Sequence, residues 1–472
     1  MTIDILSRLP VELAYQILSK LSITDVVSCQ SVSRQWYWIS VDQSVWKHAF
    51  LERERPYAIP RSVLAPSYSS TQTPFSPTVP EPSTTLDRDW KQHCQSRVVS
   101  DRNWRQGDIQ SLLTLRYHHS AIVRLRIKQG MLLSGDMFGH VAVWDTENYA
   151  CQYVIEAAVG PIQLLDFSAK AMVMTVISRS GVCRIWSIKT KCLICSFPAY
   201  DVACMTMNDD HLVLGGRDGQ VQVVDFMTGA TVKSTTAFAE EVLQDIYIQN
   251  DTMVIATGRH IRIVSIDTLQ VLSTCPLPIS PSVRTFCSVF HIRSLILLTD
   301  KHLLHIEWEA LYKSINRDFV IDQDKELPPN LLKPPRVQKI KVPPIASITS
   351  IAIGGNHPRV LTTNADRPSL NGTIRVCPAP VLPAWEDESY YDDAPEATKT
   401  TTAAPSVAAA ATRLLESAEE ETGIVLSSQV PGVAEYLESC GLKPSFMDVD
   451  EDVIVIGTSK GDIVVLSMMP QE

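Results

Sequence analysis

The hydrophobic positions change their period along the chain. Over the first fifty residues they are helical: Leu13, Ala14, Ile17, Leu18 and Leu21 recur at three- and four-residue spacing behind Pro10, which a helix tolerates in its first turn. Thr24 suits the cap of a second helix carrying Val26 and Val27, with Asp25 well placed for the helix dipole. A third segment from Val32 to Val41 holds Trp36 and Ile39, and Trp46 follows. Three short helices in about forty-five residues enclose little interior, and such a piece is often completed by a partner.

Beyond a Pro/Ser/Thr-rich stretch from Pro56 to Leu86, which reads as a linker, the pattern turns to β. One line recurs: an alternating apolar run, a loop with Gly or Asp, a second such run and a polar turn. Leu132 to Asp145 (LLSGDMFGHVAVWD) is the clearest case. Aligned on the last large apolar residue of each second run, the marks are Trp144, Trp186, Val224, Val264, Ile306, Cys377 and Leu466, with gaps of 42, 38, 40, 42, 71 and 89 residues. The first four gaps fit the period of four-stranded propeller blades, which a β-sandwich would not hold. Insertions at about 310–345 and 378–442 lengthen the last two. Seven marks predict seven blades, the fifth and sixth least regular, and Leu112 to Arg116 is a strand that can close the ring on the last blade. The predicted organisation is a helical domain at 1–54, a linker at 55–88, a helical connector at 89–108 and a propeller at 109–472.

The N-terminal residues resemble a known motif. Leu9-Pro10-Val11-Glu12-Leu13, then Ile17-Leu18 and Leu21, Asp25-Val26-Val27, and Val32-Ser33-Arg34-Gln35-Trp36 resemble the F-box, in order and at its spacing. Trp144-Asp145 resembles the signature dipeptide of WD repeats, although the other blades lack it and the usual Gly-His is not evident. Lys91, Arg97 and Asn103-Trp104-Arg105-x-Gly107 resemble the connector that precedes the propeller in F-box/WD-repeat proteins. The resemblance implies a small all-α F-box domain followed by an all-β propeller, to which the seven marks assign seven blades and the composition an inserted disordered acidic loop. It also implies binding to a Skp-family adaptor and, through it, to a cullin–RING ubiquitin ligase. Recognition would be helix-in-groove, with Leu9, Pro10, Leu13, Ile17, Leu18 and Val26 as candidate anchors, some of which would instead pack the domain's own core together with Trp36.

Composition refines this picture. The net charge is −10 over 472 residues, yet residues 378–452 alone carry sixteen acidic and three basic side chains, −13 in net, which leaves +3 for the rest. An acidic total disfavours a general nucleic-acid binder. No apolar run is long enough to span a membrane, no signal region precedes the helices, and eleven scattered cysteines do not form a disulfide framework. Cytoplasmic or nuclear residence is the expectation. Catalytic motifs are missing: there is no phosphate-cradling Gly loop, no nucleophile elbow and no zinc-protease helix. Cys192 and Cys195 form a C-x-x-C, but a three-residue offset in a strand puts them on opposite faces, so buried inert cysteines are expected. His118-His119, His302 and His305 read as hydrogen-bonded structural groups. Neither a cofactor nor a metal is implied.

The loops between the second and third strands of each blade carry Arg179, Arg217, Arg259, Lys301, Arg367 and Lys460, while the first blade has Asp136-Met137-Phe138 there. Clustered basic residues can grip carboxylate or phosphate, which points to a protein substrate with an acidic or phosphorylated segment. The reading that follows is a non-catalytic substrate receptor. Its alternative is a propeller scaffold using the F-box in a cullin-independent adaptor complex; an enzyme built on a propeller lacks any supporting residue cluster.

Overall fold

A computed structural model of the protein describes residues 8–54 and 89–276 apart from positions 22, 129, 239, 240, 250 and 251, strands between 285 and 425, residue 430, and residues 444–469 apart from 451. The linker at 55–88 and the bulk of both predicted insertions lie outside the described residues. Two compact units are present, Met1–Trp104 and Arg105–Glu472.

The first unit holds four short helices where three were expected, then a longer one: α1 (Val11–Leu18), α2 (Ile23–Cys29), α3 (Arg34–Ser40), α4 (Gln43–Glu54) and α5 (Trp90–Gln106). Pro10 stands at the N-cap of α1, where its carbonyl accepts from the N–H of Leu13 and Ala14. Helix α2 starts at Ile23, so Thr24 lies in its first turn and is not its cap. Ser33 caps α3, its side chain accepting from the Trp36 N–H at 3.3 Å. One core joins all five helices through Ala14, Leu18, Val26, Cys29, Ile39, Trp46, Phe50 and Cys94. Trp46 is its centre, wholly buried, with the indole N–H donating to the Ser40 carbonyl at 2.8 Å. Gln43 anchors α5 by accepting from the Trp90 N–H at 2.7 Å and donating to Asp89 at 3.2 Å.

Among the described residues the second unit is a closed ring of seven sheets, antiparallel throughout except for one two-residue edge strand paired parallel in the fifth. Their innermost strands, in chain order, are Ile122–Lys128, Ile162–Ser168, Val202–Met207, Asp245–Gln249, Thr285–His291, Ile348–Gly354 and Pro444–Asp450. Each packs beside the next, and the seventh packs beside the first. Each of the seven sequence marks falls in the third strand of its own sheet, near the start of the pairing with the second strand: Leu132↔Trp144, Met174↔Trp186, Leu212↔Val224, Met253↔Val264, Leu295↔Ile306, Val360↔Cys377 and Ile454↔Leu466. In the first four blades the register to the outermost strand shifts at that same mark. Of the fifth and sixth blades, the least regular in sequence, the fifth has four strands with the two-residue strand Glu421–Thr422 added at its edge, and the sixth has three strands with the two-residue Ile424–Val425 as its fourth. Ser111–Arg116 pairs antiparallel with Asp462–Ser467 as the outermost strand of the seventh blade, closing the ring.

Two features fix the blades against one another. At the middle, Asp448 of the seventh blade accepts from the Ile127 N–H of the first at 2.9 Å, and Asp166 of the second accepts from the Met207 N–H of the third at 2.7 Å. Lys128 bonds Asp166 at 2.7 Å, so the Asp166 carboxylate is partnered in this interior. Burial pushes the Asp448 carboxyl up even though Arg126 opposes it. By composition Asp448 belongs to the acidic window of 378–452, but the end of that window is an inner strand and no part of an insertion. At the rim, the turns before the third strands of blades one, two, three and seven carry Gly139, Gly181, Gly219 and Gly461, all with positive φ. The connection to the next blade presses on them: a Cβ at Gly219 would stand 1.5 Å from the Phe238 carbonyl oxygen, so both the dihedral and the space demand glycine.

The C-x-x-C expectation needs correcting. Cys192 is exposed ahead of the outermost strand Leu193–Pro198, and only Cys195 is partly buried, its thiol pushed up first by burial and then by Asp225. Among the described residues no helix is long and apolar enough to cross a membrane.

Candidate binding surfaces

On the helical unit, the predicted anchors divide. Leu18 and Val26 are fully buried in the unit's own core, so they support the surface and do not form it. The α1 period explains this: Ala14 and Leu18 fall on the inner stripe, whereas Leu13 and Ile17, four apart, share the next stripe and are each 45% exposed. Pro10 is exposed and Leu9 half-buried against the core. Further apolar groups left open among the described residues of α1 to α3, none of them an expected anchor, are Val11 of α1, Val27 of α2, Val32 in the turn after it, and Tyr37 and Trp38 of α3, with Trp38 71% exposed. Trp38 was visible in sequence as the member of the Trp36-Tyr37-Trp38 run that cannot share the inward face with Trp36 and Ile39. So dense an apolar surface on one small helical unit marks an interaction site.

On the propeller, the turns between second and third strands and the connections between blades lie on one side, because they hydrogen-bond to each other. The Ala157 and Ala158 N–H groups donate to the Gly139 carbonyl at 2.9 and 3.0 Å, Ala199 to Gly181 at 2.7 Å and Ala237 to Gly219 at 3.0 Å. Arg179, Arg217, Arg259 and Lys460 are exposed on these turns, in blades two, three, four and seven. Lys301 and Arg367 lie outside the described residues. The four are not equivalent positions: Arg179 and Arg217 stand two residues before the turn glycine, Lys460 directly before Gly461, and Arg259 in a turn one residue shorter. In blade one the place of Arg179 is taken by Met137.

Behind the Met137 turn is a buried polar network that the missing Gly-His argues against in sequence. His118 approaches Asp136 through Nδ1 at 3.3 Å and the Ser134 hydroxyl through Nε2 at 2.7 Å, while the Trp144 indole N–H donates to the same hydroxyl at 2.9 Å. One protonation pattern satisfies every group: Trp144 donates to Ser134, Ser134 to Nε2, and the Nδ1–H to Asp136. Asp136 also accepts from the N–H of Phe138 and of His140, both at 2.9 Å. Burial alone would raise its carboxyl, but the hydrogen bonds from His118 and His140 hold it well below the usual carboxylate range. His118, Ser134, Asp136 and Trp144 shape the turn and are withdrawn from solvent, so these four carry no chemistry outward.

Residues 6–52 match the F-box-like family. An F-box protein of Saccharomyces cerevisiae is 25% identical over 149 residues, 30% of this chain and 23% of that protein. The F-box/WD repeat-containing protein sel-10 of Caenorhabditis elegans is 23% identical over 178 residues, 34% of this chain and 30% of that protein. The matches thus span less than a third of these relatives' length. Among solved structures, the β-propeller domain of Cps50 (Swd1) from Myceliophteria thermophila has a TM-score of 0.49 at 13% identity, covering 76% of this chain and 99% of that one. The computationally designed Ika8 protein has a TM-score of 0.46 at 16% identity, covering the same 76% and 99%. The chain joins an F-box-like helical segment to a seven-bladed β-propeller, and over about a third of its length it is similar to an F-box protein and to an F-box/WD repeat-containing protein.

Proposed function

We propose that this protein is a non-catalytic substrate-recognition subunit of an SCF-type cullin–RING ubiquitin ligase. Its helical unit binds a Skp-family adaptor, and the adaptor brings the cullin. The turn face of the propeller holds a protein substrate, through an acidic or phosphorylated segment gripped by Arg179, Arg217, Arg259 and Lys460, with Lys301 and Arg367 as the further candidates. Holding substrate and ligase on one chain raises their effective concentration, which is all that such a subunit needs to supply. The observation that carries the reading is the open apolar stripe of Leu13 and Ile17, with Val27, Val32 and Trp38, inside the segment that matches the F-box-like family.

The expected contacts are therefore Pro10, Leu13, Ile17 and Trp38. Changing Leu13→Asp together with Ile17→Asp places two charges in that contact and removes two apolar side chains, each contributing about 1–2 kcal/mol when covered. Adaptor affinity is expected to fall roughly 100-fold, read by co-purification and by titration with purified adaptor, while Leu18 and the inner stripe keep the helices folded. Recovery of adaptor and cullin together with the wild-type chain supports the ligase reading. Recovery of adaptor without cullin replaces it with the cullin-independent scaffold.

A further inference from the structure

The large apolar side chains exposed on the propeller include a group on the turn face. Phe138 is 64% exposed, Val159 73% and Tyr200 72%. Hydrogen bonds fix their order along the rim. Phe138 belongs to the first blade's turn, whose Gly139 carbonyl receives Ala157 and Ala158; Val159 comes next; Pro161 then accepts from the Arg179 N–H at 2.8 Å. From that turn Gly181 receives Ala199, Tyr200 follows, and Asp201 accepts from the Arg217 N–H at 2.8 Å. A Cβ at Gly181 would stand 2.3 Å from the Tyr200 ring, so the ring rests on the glycine. The sequence along the rim is therefore Phe138, Val159, Arg179, Tyr200, Asp201 and Arg217, followed by Asp218, whose carboxylate accepts from the Gln220 N–H at 3.0 Å within its own turn. Among the described residues neither arginine is held in an ion pair.

We infer that this group over blades one to three docks an unphosphorylated acidic peptide whose bulky apolar side chains are interspersed with carboxylates. This rests on the receptor reading given above and specifies its substrate class. Charge complementarity selects the occupant. A phosphate dianion is held best where several donors converge on one point. Here Tyr200 comes between Arg179 and Arg217 in the order set by the backbone hydrogen bonds, an arrangement that suits carboxylates spread along an extended segment. The exposed ring and the Phe138–Val159 pair supply the apolar anchors that dominate such contacts.

The test uses full-length protein and a fluorescein-labelled octapeptide alternating Phe or Leu with Glu or Asp, followed by anisotropy. Three comparison peptides carry Gln and Asn for the acids, Ser for the apolar residues, or a single phosphothreonine in a Gly/Ser background. Expected is saturable binding of the first peptide, at least tenfold weaker for each comparison peptide. Tyr200→Ser, Phe138→Ser and Arg179→Glu should each weaken it at least tenfold, and Met227→Ser, exposed on a different loop, should not. Val159→Ser is the further variant should one of these lose its thermal transition. The inference is overturned if the wild-type protein does not bind the octapeptide, if Tyr200→Ser combined with Phe138→Ser binds it unchanged, or if the phosphopeptide binds more tightly. Adaptor and cullin recovery is scored separately, so a receptor with a different specificity is distinguished from a protein that is no receptor.

Discussion

Trp46→Ala is expected to unfold the helical unit. The side chain is wholly buried among Leu18, Val26, Ile39, Phe50 and Cys94, and its removal leaves the Ser40 carbonyl without its indole donor. Truncating a buried tryptophan costs about 3–5 kcal/mol, and so small an interior holds a reserve of that order or less. Hydrogen–deuterium exchange should therefore rise across 11–54 and in the first half of α5, where Cys94 donates to the Trp46 carbonyl at 3.7 Å. Adaptor binding should disappear with it. Trp46→Phe, which keeps most of the volume and loses only the hydrogen bond, should cost about 1–2 kcal/mol and retain binding. Protection unchanged in Trp46→Ala would show that the five helices do not depend on one core.

The second large effect lies in the propeller. Asp136→Ala would leave His118 and the N–H groups of Phe138 and His140 without their acceptor inside a closed turn, a loss of about 3 kcal/mol by comparison with other broken buried pairs. The effect depends on pH, with a definite sign. Because the folded carboxyl titrates below its unfolded value, its contribution is fully present above the ordinary carboxylate range and is lost as pH falls through the lower, folded value. The gap between wild type and Asp136→Asn, measured by urea unfolding, should be constant near neutrality and should narrow below about pH 4. A gap that widens on acidification would contradict the assignment of Asp136 as the ionised member of the network.

How much of this was legible in the sequence depended on what each signal physically reports. The seven marks from Trp144 to Leu466 were readable because one register repeats in every third strand, and repetition survives the loss of individual signature residues. The closing strand at Leu112 to Arg116 was readable because it is an apolar run left over ahead of the first full blade. The network around His118 was not readable, since it is assembled from an inter-blade connection, a second strand, a turn and a third strand, and its histidine lacks the preceding glycine. For the adaptor surface, motif spacing located the helices but did not say which stripe faces in. Leu18 and Val26 matched the motif as well as Leu13 and Ile17 do, and only the packing of α3 and α4 beneath them separates the two sets. The apolar members of the turn face were hidden for a related reason: Val159 and Tyr200 sit in short connections with no period, whereas basic residues stand out in a loop by charge alone.

The pairing of Ser111–Arg116 with Asp462–Ser467 also governs how the molecule is made. During synthesis the first of these strands leaves the ribosome about 350 residues before its partner exists (Ser111 pairs with Ser467). At roughly 5–20 residues per second this is a wait of about 20–70 s with one sheet edge unpaired. The helical unit, complete by residue 106, passes through this interval already able to fold. The protein's two units thus mature on different clocks, and a chain released short of residue 467 would carry a finished helical unit and a ring that cannot close. Such products should be recoverable with adaptor yet protease-sensitive beyond residue 109, a difference that limited proteolysis of truncated chains would show.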